Sequence, residues 1–406
     1  MQKARSSIIF YTILLMMVSL FLSRAALSVS IFAFLLASFI SNDCRKTLSN
    51  FFHSPLLWGI TLLFLIPFIS FAWSSNIEAW LSAMRIKLPL LLLPLAFASD
   101  FRFSRKQWQT LATSFILIIF LGTAWTMWQY LQSPEEIQAG YLKSQTIPTP
   151  LEHDHVRFSW LVALAILVSG WLLPSITQKQ WQLILLLTIA WFIAFLHILA
   201  ARTGLVGFYL ILLATIIWLI IKAGKPKLGL GLSLALLLMP LIAYFAIPTF
   251  QNRIKFIRYD FGYLKDGNFL PGGNDATRMI SFKAGLNLTS SNLIAGTGFG
   301  DIRAETEYWY ASSHPEIPQE QRILPSSQWL IYGVGCGIPG IFALTLALII
   351  PFFTRVKRKA EWIIFNLLLI FPFLYDIGLE VQFGVVIYCL SLLLTWKWVT
   401  ADEQKK

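Results

Sequence analysis

The sequence predicts an all-α integral membrane protein of about twelve transmembrane helices with one large outer loop. Three observations carry this expectation. Of 406 residues, 57% are hydrophobic and only 13% are charged, against roughly 45–50% and about 25% in soluble domains. Half the usual charge cannot clothe a soluble surface of this size. Mean hydropathy is +0.67, which excludes a disordered chain, a coiled coil or a collagen-like one. Apolar stretches near the ~20 residues needed to cross hydrocarbon recur along the chain.

The stretches fall at 7–23, 25–41, 56–73, 84–99, 108–131, 158–177, 181–199, 203–222, 228–247, 327–353, 361–377 and 381–399. The first follows Lys3 and Arg5 and ends at Ser23-Arg24-Ala25, a faint resemblance to a cleaved leader; it is read as a retained helix. The fourth, beginning Lys87-Leu-Pro-Leu, carries two prolines, which kink a helix but are tolerated where neighbours satisfy the freed carbonyls. Two connections break the rhythm of short turns, 132–157 and 248–326. Long ordered loops usually carry function. The expected organisation is therefore 1–180 (six spans with the 132–157 loop), 181–247 (three spans), 248–326 (the large loop), and 327–406 (three spans and a tail).

Orientation follows from the basic residues. With the N-terminus inside, the cytoplasmic connections hold 18 Lys and Arg, the short outer ones 6, and the 248–326 loop 8. Positively charged short loops stay cytoplasmic, so both termini are expected inside. Only five acidic residues share the inner side, leaving +13 there and −1 outside. The net charge of +12 thus reflects insertion, and no nucleic-acid partner is expected. Cys44, Cys336 and Cys389 show no zinc or disulfide spacing.

Several residues at the outer boundary could carry chemistry. Arg202 opens a span in Ala201-Arg-Thr-Gly-Leu; a guanidinium costs about 2.5–3.5 kcal/mol at mid-membrane and less at the interface. It either snorkels to headgroups or binds a diphosphate or carboxylate with its planar fork, helped by the helix N-terminus at Thr203 and Gly204. Arg278 begins the amphipathic stretch Ala276–Leu288 and follows the turn-rich segment Gly262–Gly273. By itself it reads as a surface charge. Arg253, Lys255 and Arg258 read as a solvated or headgroup-facing surface. The cluster His153-Asp154-His155-Val-Arg157 suits a base–carboxylate pair or an anion-binding role better than a metal, for which no third ligand is evident. His197 is expected to be hydrogen-bonded within the bundle, and His314 reads as a lone loop histidine. Gly296-Thr-Gly-Phe-Gly300-Asp301 lacks the strand–turn–helix context of a phosphate loop and reads as a tight turn against the bundle.

Together these pieces resemble the O-antigen ligase and polymerase family. The resemblance rests on Ala201-Arg202-Thr-Gly-Leu at a span start, Arg278 in a long outer loop, Gly296-Thr-Gly-Phe-Gly300, Pro325-Ser-Ser-Gln-Trp-Leu and Gly337-Ile-Pro-Gly340. It covers about 181–345 and lies in this order on one face. It implies a GT-C-like, metal-independent glycosyltransferase of a bacterial inner membrane, without cofactor, active at the periplasmic face among membrane lipids. The implied donor is an undecaprenyl-diphosphate-linked glycan, and the acceptor is lipid A–core or, in a polymerase, another lipid-linked repeat. Two family arginines that hold the diphosphate carry over to Arg202 and Arg278, and Arg157 joins them as an anion-binding candidate.

One departure matters. The family commonly has Pro-His-Asn before the tenth span, its histidine serving as base. Counting back from Gly337-Ile-Pro-Gly340 puts Ser326 and Ser327 at those positions. A serine hydroxyl is no base near neutral pH. The catalytic candidates are thus Ser326, by position, and His155, or else His153, as the substitute base. The competing readings are a transporter of polar lipids or anions, and an inactive assembly component.

Overall fold

The computed structural model describes residues 2–40, 43–265 and 275–401, and every regular element among them is helical. The apolar runs become helices for local reasons. Helices α1 (Gln2–Leu22) and α2 (Arg24–Phe39) form a hairpin whose turn residue Ser23 caps α2 by accepting from the Ala26 N–H. Asp43 caps the short α3 (Cys44–His53), and Pro55 opens α4 (Pro55–Ile69), where a missing N–H costs nothing. Asn76 caps α5 (Ile77–Lys87), and the break before Pro89 separates it from α6 (Pro89–Phe97). A capping box between Ser104 and Gln107 starts α7 (Arg105–Gln132), 28 residues long. The short α8 (Pro134–Gly140) and then α9 (His155–Leu172), capped by Asp154, follow.

Next come α10 (Lys179–Leu199), α11 (Arg202–Ile221) and α12 (Pro226–Ala246). The long loop is itself largely helical, as α13 (Pro248–Lys265), α14 (Asp275–Ser291) and α15 (Ile302–Ser313). The turn-rich segment Gly262–Gly273 divides: its first residues continue α13, and 266–273 lie outside the described residues. Helices α16 (Gln328–Phe353), α17 (Lys359–Ile370) and α18 (Gln382–Ala401) complete the chain.

Ten of the described helical segments are long and apolar enough to cross a membrane, or up to eleven if α2 and α3 together form one. The fourth begins at Ile77 rather than 84, because α5 and α6 run as one apolar path to Phe97. The stretch 361–377 yields only the 12 residues of α17 before a 3-10 turn at Phe371–Leu374, where Pro372 cannot donate a helical hydrogen bond. Helix α9 is the most enclosed of the ten segments, with 67% of its window buried against 11% for α12. Its Trp160 is fully packed and donates to the Leu368 carbonyl at 3.0 Å.

Two features lock the end of the bundle at which α5 and α16 begin. The Gly296–Gly300 segment is a tight turn against the bundle, as expected: Gly296 and Gly298 have φ of 69° and 92°, and Thr297 N and Gly298 N donate to Val334 O and Gly335 O on α16. Phe299 N and Gly300 N donate to the hydroxyls of Ser70 and Ser74, and the Asp301 carboxylate accepts from Ser75 N and Asn76 N. These amides are committed to protein partners, which leaves the turn no cradle for a phosphate.

Lys87 is the second feature. It is fully buried, 2.5 Å from Glu380 and 2.9 Å from the Leu379 carbonyl. Its ammonium also sits over the rings of Phe299 and Tyr332, and Gln328 donates to the same Glu380 oxygen. Removing one member of a buried pair strands the other charge, at about 3–5 kcal/mol. Lys87→Ala is therefore expected to lower thermal stability in detergent by that order, and the paired Lys87→Met/Glu380→Gln change to recover most of it. Wild-type stability in Lys87→Ala would refute this.

Candidate functional site

Three helices bring guanidinium side chains to a single point at one end of the bundle, where a fourth helix adds a histidine and a loop adds a tyrosine. The site begins with α9. Before it, Leu151, Glu152 and His153 all take left-handed backbone conformations, with φ of 64°, 56° and 67°. Non-glycine residues there store strain of order 1–3 kcal/mol each and persist where the surroundings hold them. Here Arg24 binds Glu152 at 2.6 Å, and Asp154 accepts from the Arg157 N–H to start the helix. The result sets His155 at the first turn of α9, facing the cluster.

Arg202 reaches the same point because α11 packs closely on α9. A Cβ on Gly204 would lie 2.5 Å from the Ser159 carbonyl oxygen, and Gly204 N donates to Ser159 Oγ at 3.0 Å. The Arg-Thr-Gly sequence is thus a contact requirement: glycine admits α9, and the arginine two residues earlier emerges at its rim. The Arg202 guanidinium pairs with the buried carboxylate of Asp275, whose own N–H donates to Asp260 at 2.6 Å. One turn into α14, Arg278 donates to the Tyr375 carbonyl at 3.2 Å.

Arg253 departs from expectation. It is only 4% exposed, because α13 lies down on the loop rather than standing in water. Thr249 donates to the Ile198 carbonyl and Asn252 to the Gln138 carbonyl. Among the described residues, Arg253 Nε and Nη1 have no hydrogen-bond partner. Its neighbours Lys255 and Arg258 are exposed, as expected of a solvated face.

His155, Val156, Arg202, Thr203, Arg253, Arg278 and Tyr375 line one small cavity of about 20 Å³. Burial lowers the proton affinity of Arg253, Arg202 lowers it further, and Asp275 raises it. Arg278 is lowered by burial, raised by Asp376 and lowered again by Arg202. An arginine stays charged regardless, so these influences describe mutual repulsion among cations held close together. Such a cluster is poised to gain from an anion that bridges it.

The other sequence candidates lie beside this cavity rather than in its wall. Arg157 is buried and pairs with Asp376 at 2.9 Å and with Asp154 at 3.5 Å, which ties α9 to the loop carrying Tyr375. Ser326 is buried, its hydroxyl 2.9 Å from Ser281 Oγ and its N–H donating to that same oxygen at 3.2 Å. Ser281 follows Arg278 by one helical turn. His153 is exposed. His197 bonds the Ile193 carbonyl and the Tyr209 hydroxyl, as anticipated inside the bundle, whereas His314 is not alone but pairs with Glu316 at 2.8 Å.

Sequence reasoning passed over Arg253 and Tyr375. A signal for Arg253 existed: Thr249, Arg253, Phe256 and Asp260 repeat at helical spacing and form the buried stripe of α13. For Tyr375, in an irregular turn, no such pattern was available.

Residues 185–345 match the family model described as O-Antigen ligase (Wzy_C). The matched segment contains Arg202, Arg253, Arg278 and Ser326 and leaves His155, Arg157 and Tyr375 outside. No curated protein matches the chain.

Proposed function

Since residues 185–345 belong to the O-antigen ligase family, we propose that this multi-pass membrane protein transfers a glycan from a polyprenyl-diphosphate donor to a hydroxyl acceptor at the periplasmic face of a bacterial inner membrane. The observation that carries the reading is the convergence of Arg202, Arg253 and Arg278 beside His155. The donor's lipid stays in the bilayer while its diphosphate is held by guanidiniums from three separate helices.

Transfer forms one bond and breaks one. The acceptor oxygen attacks the anomeric carbon, the carbon–oxygen bond to the diphosphate breaks, and its electron pair leaves with the diphosphate. Fixed guanidiniums stabilise the charge that develops on that leaving group without reorganising during the step. The acceptor proton goes to the His155 imidazole. To take that proton the imidazole must be neutral beforehand. Proton uptake beside three cations is unfavourable by itself, and the bound diphosphate offsets that repulsion. Base and anion site therefore work together. Asp275 holds Arg202 until the donor's phosphate competes for it.

Lipid A–core is the proposed acceptor, with another lipid-linked repeat as the alternative. Purified, reconstituted protein given undecaprenyl-diphosphate glycan and each acceptor in turn should yield a new glycosidic product and free undecaprenyl diphosphate. Absence of product with every acceptor, together with gradient-dependent movement of the lipid-linked sugar, would overturn the proposal in favour of transport.

A further inference from the structure

Helix α14 is apolar on two sides, and among the described residues only one of them packs on the protein. That inner side lies along α16, and the two helices run in the same direction. A Cβ on Gly285 would lie 2.7 Å from the Pro325 Cβ and 2.9 Å from that of Leu330; one turn on, a Cβ on Gly333 would lie 2.8 Å from the Thr289 hydroxyl. Missing Cβ atoms let the two backbones approach this closely. Past the end of α14, the Leu293 carbonyl accepts from the Ile338 N–H at 2.8 Å. The contacted part of α16 precedes its break at Gly337, where φ is 62°, so α14 follows this first segment and not the span beyond it.

The arc of α14 that faces away from the protein is divided lengthwise. Met279, Phe282 and Leu286 are exposed and, at three- and four-residue spacing, share one flank. That flank adjoins the Gly285 and Thr289 side that meets α16. Lys283, Asn287 and Ser291 are also exposed and share the other flank, beside Ile280, which packs on Tyr310 of α15. The apolar flank is continued by Leu293 and Ile294, the latter 87% exposed, and across the Leu293–Ile338 hydrogen bond by Ile338 and Phe342 of α16, also exposed. Helix α16 is long and apolar enough to cross a membrane, so the strip on α14 runs into a surface that meets hydrocarbon. From Ala276 to Gly300 the sequence contains no acidic residue.

We propose that α14 is an interfacial helix that docks on the lipid bilayer, its apolar flank at the headgroup–acyl boundary and Lys283 toward the phosphates. Two observations favour a lipid surface over a protein partner. The strip is continuous with the exposed apolar side of a membrane-crossing helix, and it is paired with a polar flank that carries a lysine and no acid, the pattern of helices held at membrane surfaces. Arg278 lies one turn before Phe282, about 6 Å along the helix. Docking therefore holds the arginine cluster at headgroup level, where an anion carried on a lipid arrives without leaving its leaflet. The docking itself does not depend on the transferase reading.

The test is site-directed spin labelling of the full-length chain in vesicles of phosphatidylethanolamine and phosphatidylglycerol. The background is Cys44→Ser, since Cys44 is exposed whereas Cys336 and Cys389 are buried. Labels at Phe282→Cys and Leu286→Cys should be relaxed by oxygen, which concentrates in hydrocarbon, and should lie about 5–10 Å into the headgroup–acyl boundary. Labels at Lys283→Cys and Asn287→Cys should be relaxed by a water-soluble nickel chelate instead. Equal access of the chelate to both flanks would refute the docking and leave the strip to a protein partner. Oxygen access that arises on the apolar flank only after undecaprenyl-diphosphate glycan is added would assign the strip to the donor's chain and likewise overturn the proposal. Should the labelled variants not insert, wild-type protein in vesicles of a phospholipid with a diazirine in its acyl chain should cross-link in α14 as well as in α16. Cross-links in α16 with none in α14 would overturn it.

Discussion

Arg202→Ala, Arg253→Ala and Arg278→Ala are each expected to lower glycan transfer by about 100- to 1,000-fold, the loss seen when one fixed donor to a developing negative charge is removed. The three guanidiniums come from α11, α13 and α14 and face one cavity, so no one of them can be replaced by a shift of its neighbours. Lysine should not rescue them, since a point charge cannot span two phosphate oxygens as the planar fork does. Arg253→Ala is the most informative of the three. Its side chain is buried with donors unused among the described residues, so its removal should relieve repulsion and leave thermal stability unharmed while transfer falls. A merely structural arginine would show the opposite: lost stability with activity per folded molecule intact. Near-normal transfer in Arg202→Ala and Arg278→Ala, in protein that inserts normally, would refute the anion site.

His155→Ala should lower transfer by about 100- to 10,000-fold, the usual contribution of a positioned base, and should change the pH profile as well. In the wild type the rate should rise with pH as the imidazole loses its proton. In His155→Ala that limb should vanish, and the residual rate should follow hydroxide. His153→Ala serves as the control, because His153 is exposed and outside the cavity lining. An unchanged pH limb in His155→Ala would remove it as the base. Attention would then pass to the Ser281–Ser326 pair one helical turn from Arg278.

Much of the fold was legible because hydrocarbon imposes a simple rule. Backbone groups must be satisfied within the segment, so an apolar run such as 203–222 has little choice but to become α11. Where the rule weakens, so did the reading. The stretch 361–377 is apolar throughout much of its length, yet Pro372 stops its helix early. The 248–326 loop was recognisable as important, but not as three helices laid against the bundle.

At the site, Arg202 and His155 were visible as a charge and a base at the edge of apolar runs, whereas Arg278 by itself read as a surface charge and stood out only through the family resemblance. Their meeting at one cavity was not visible, because it depends on contacts between segments more than a hundred residues apart in places. Gly204 against Ser159 sets the approach of α11 to α9, and Arg278 against the Tyr375 carbonyl joins α14 to the last loop. Arg253 shows the limit most clearly. Next to Lys255 and Arg258 it reads as one more surface charge, and only the docking of α13 through Thr249 and Asn252 buries it. The sequence by itself determined the solvent and the class of fold, since these depend on composition and local periodicity. Tertiary structure alone decided which cations share a cavity, because that is a matter of how helices pack, and packing depends on long-range contacts that no local pattern encodes.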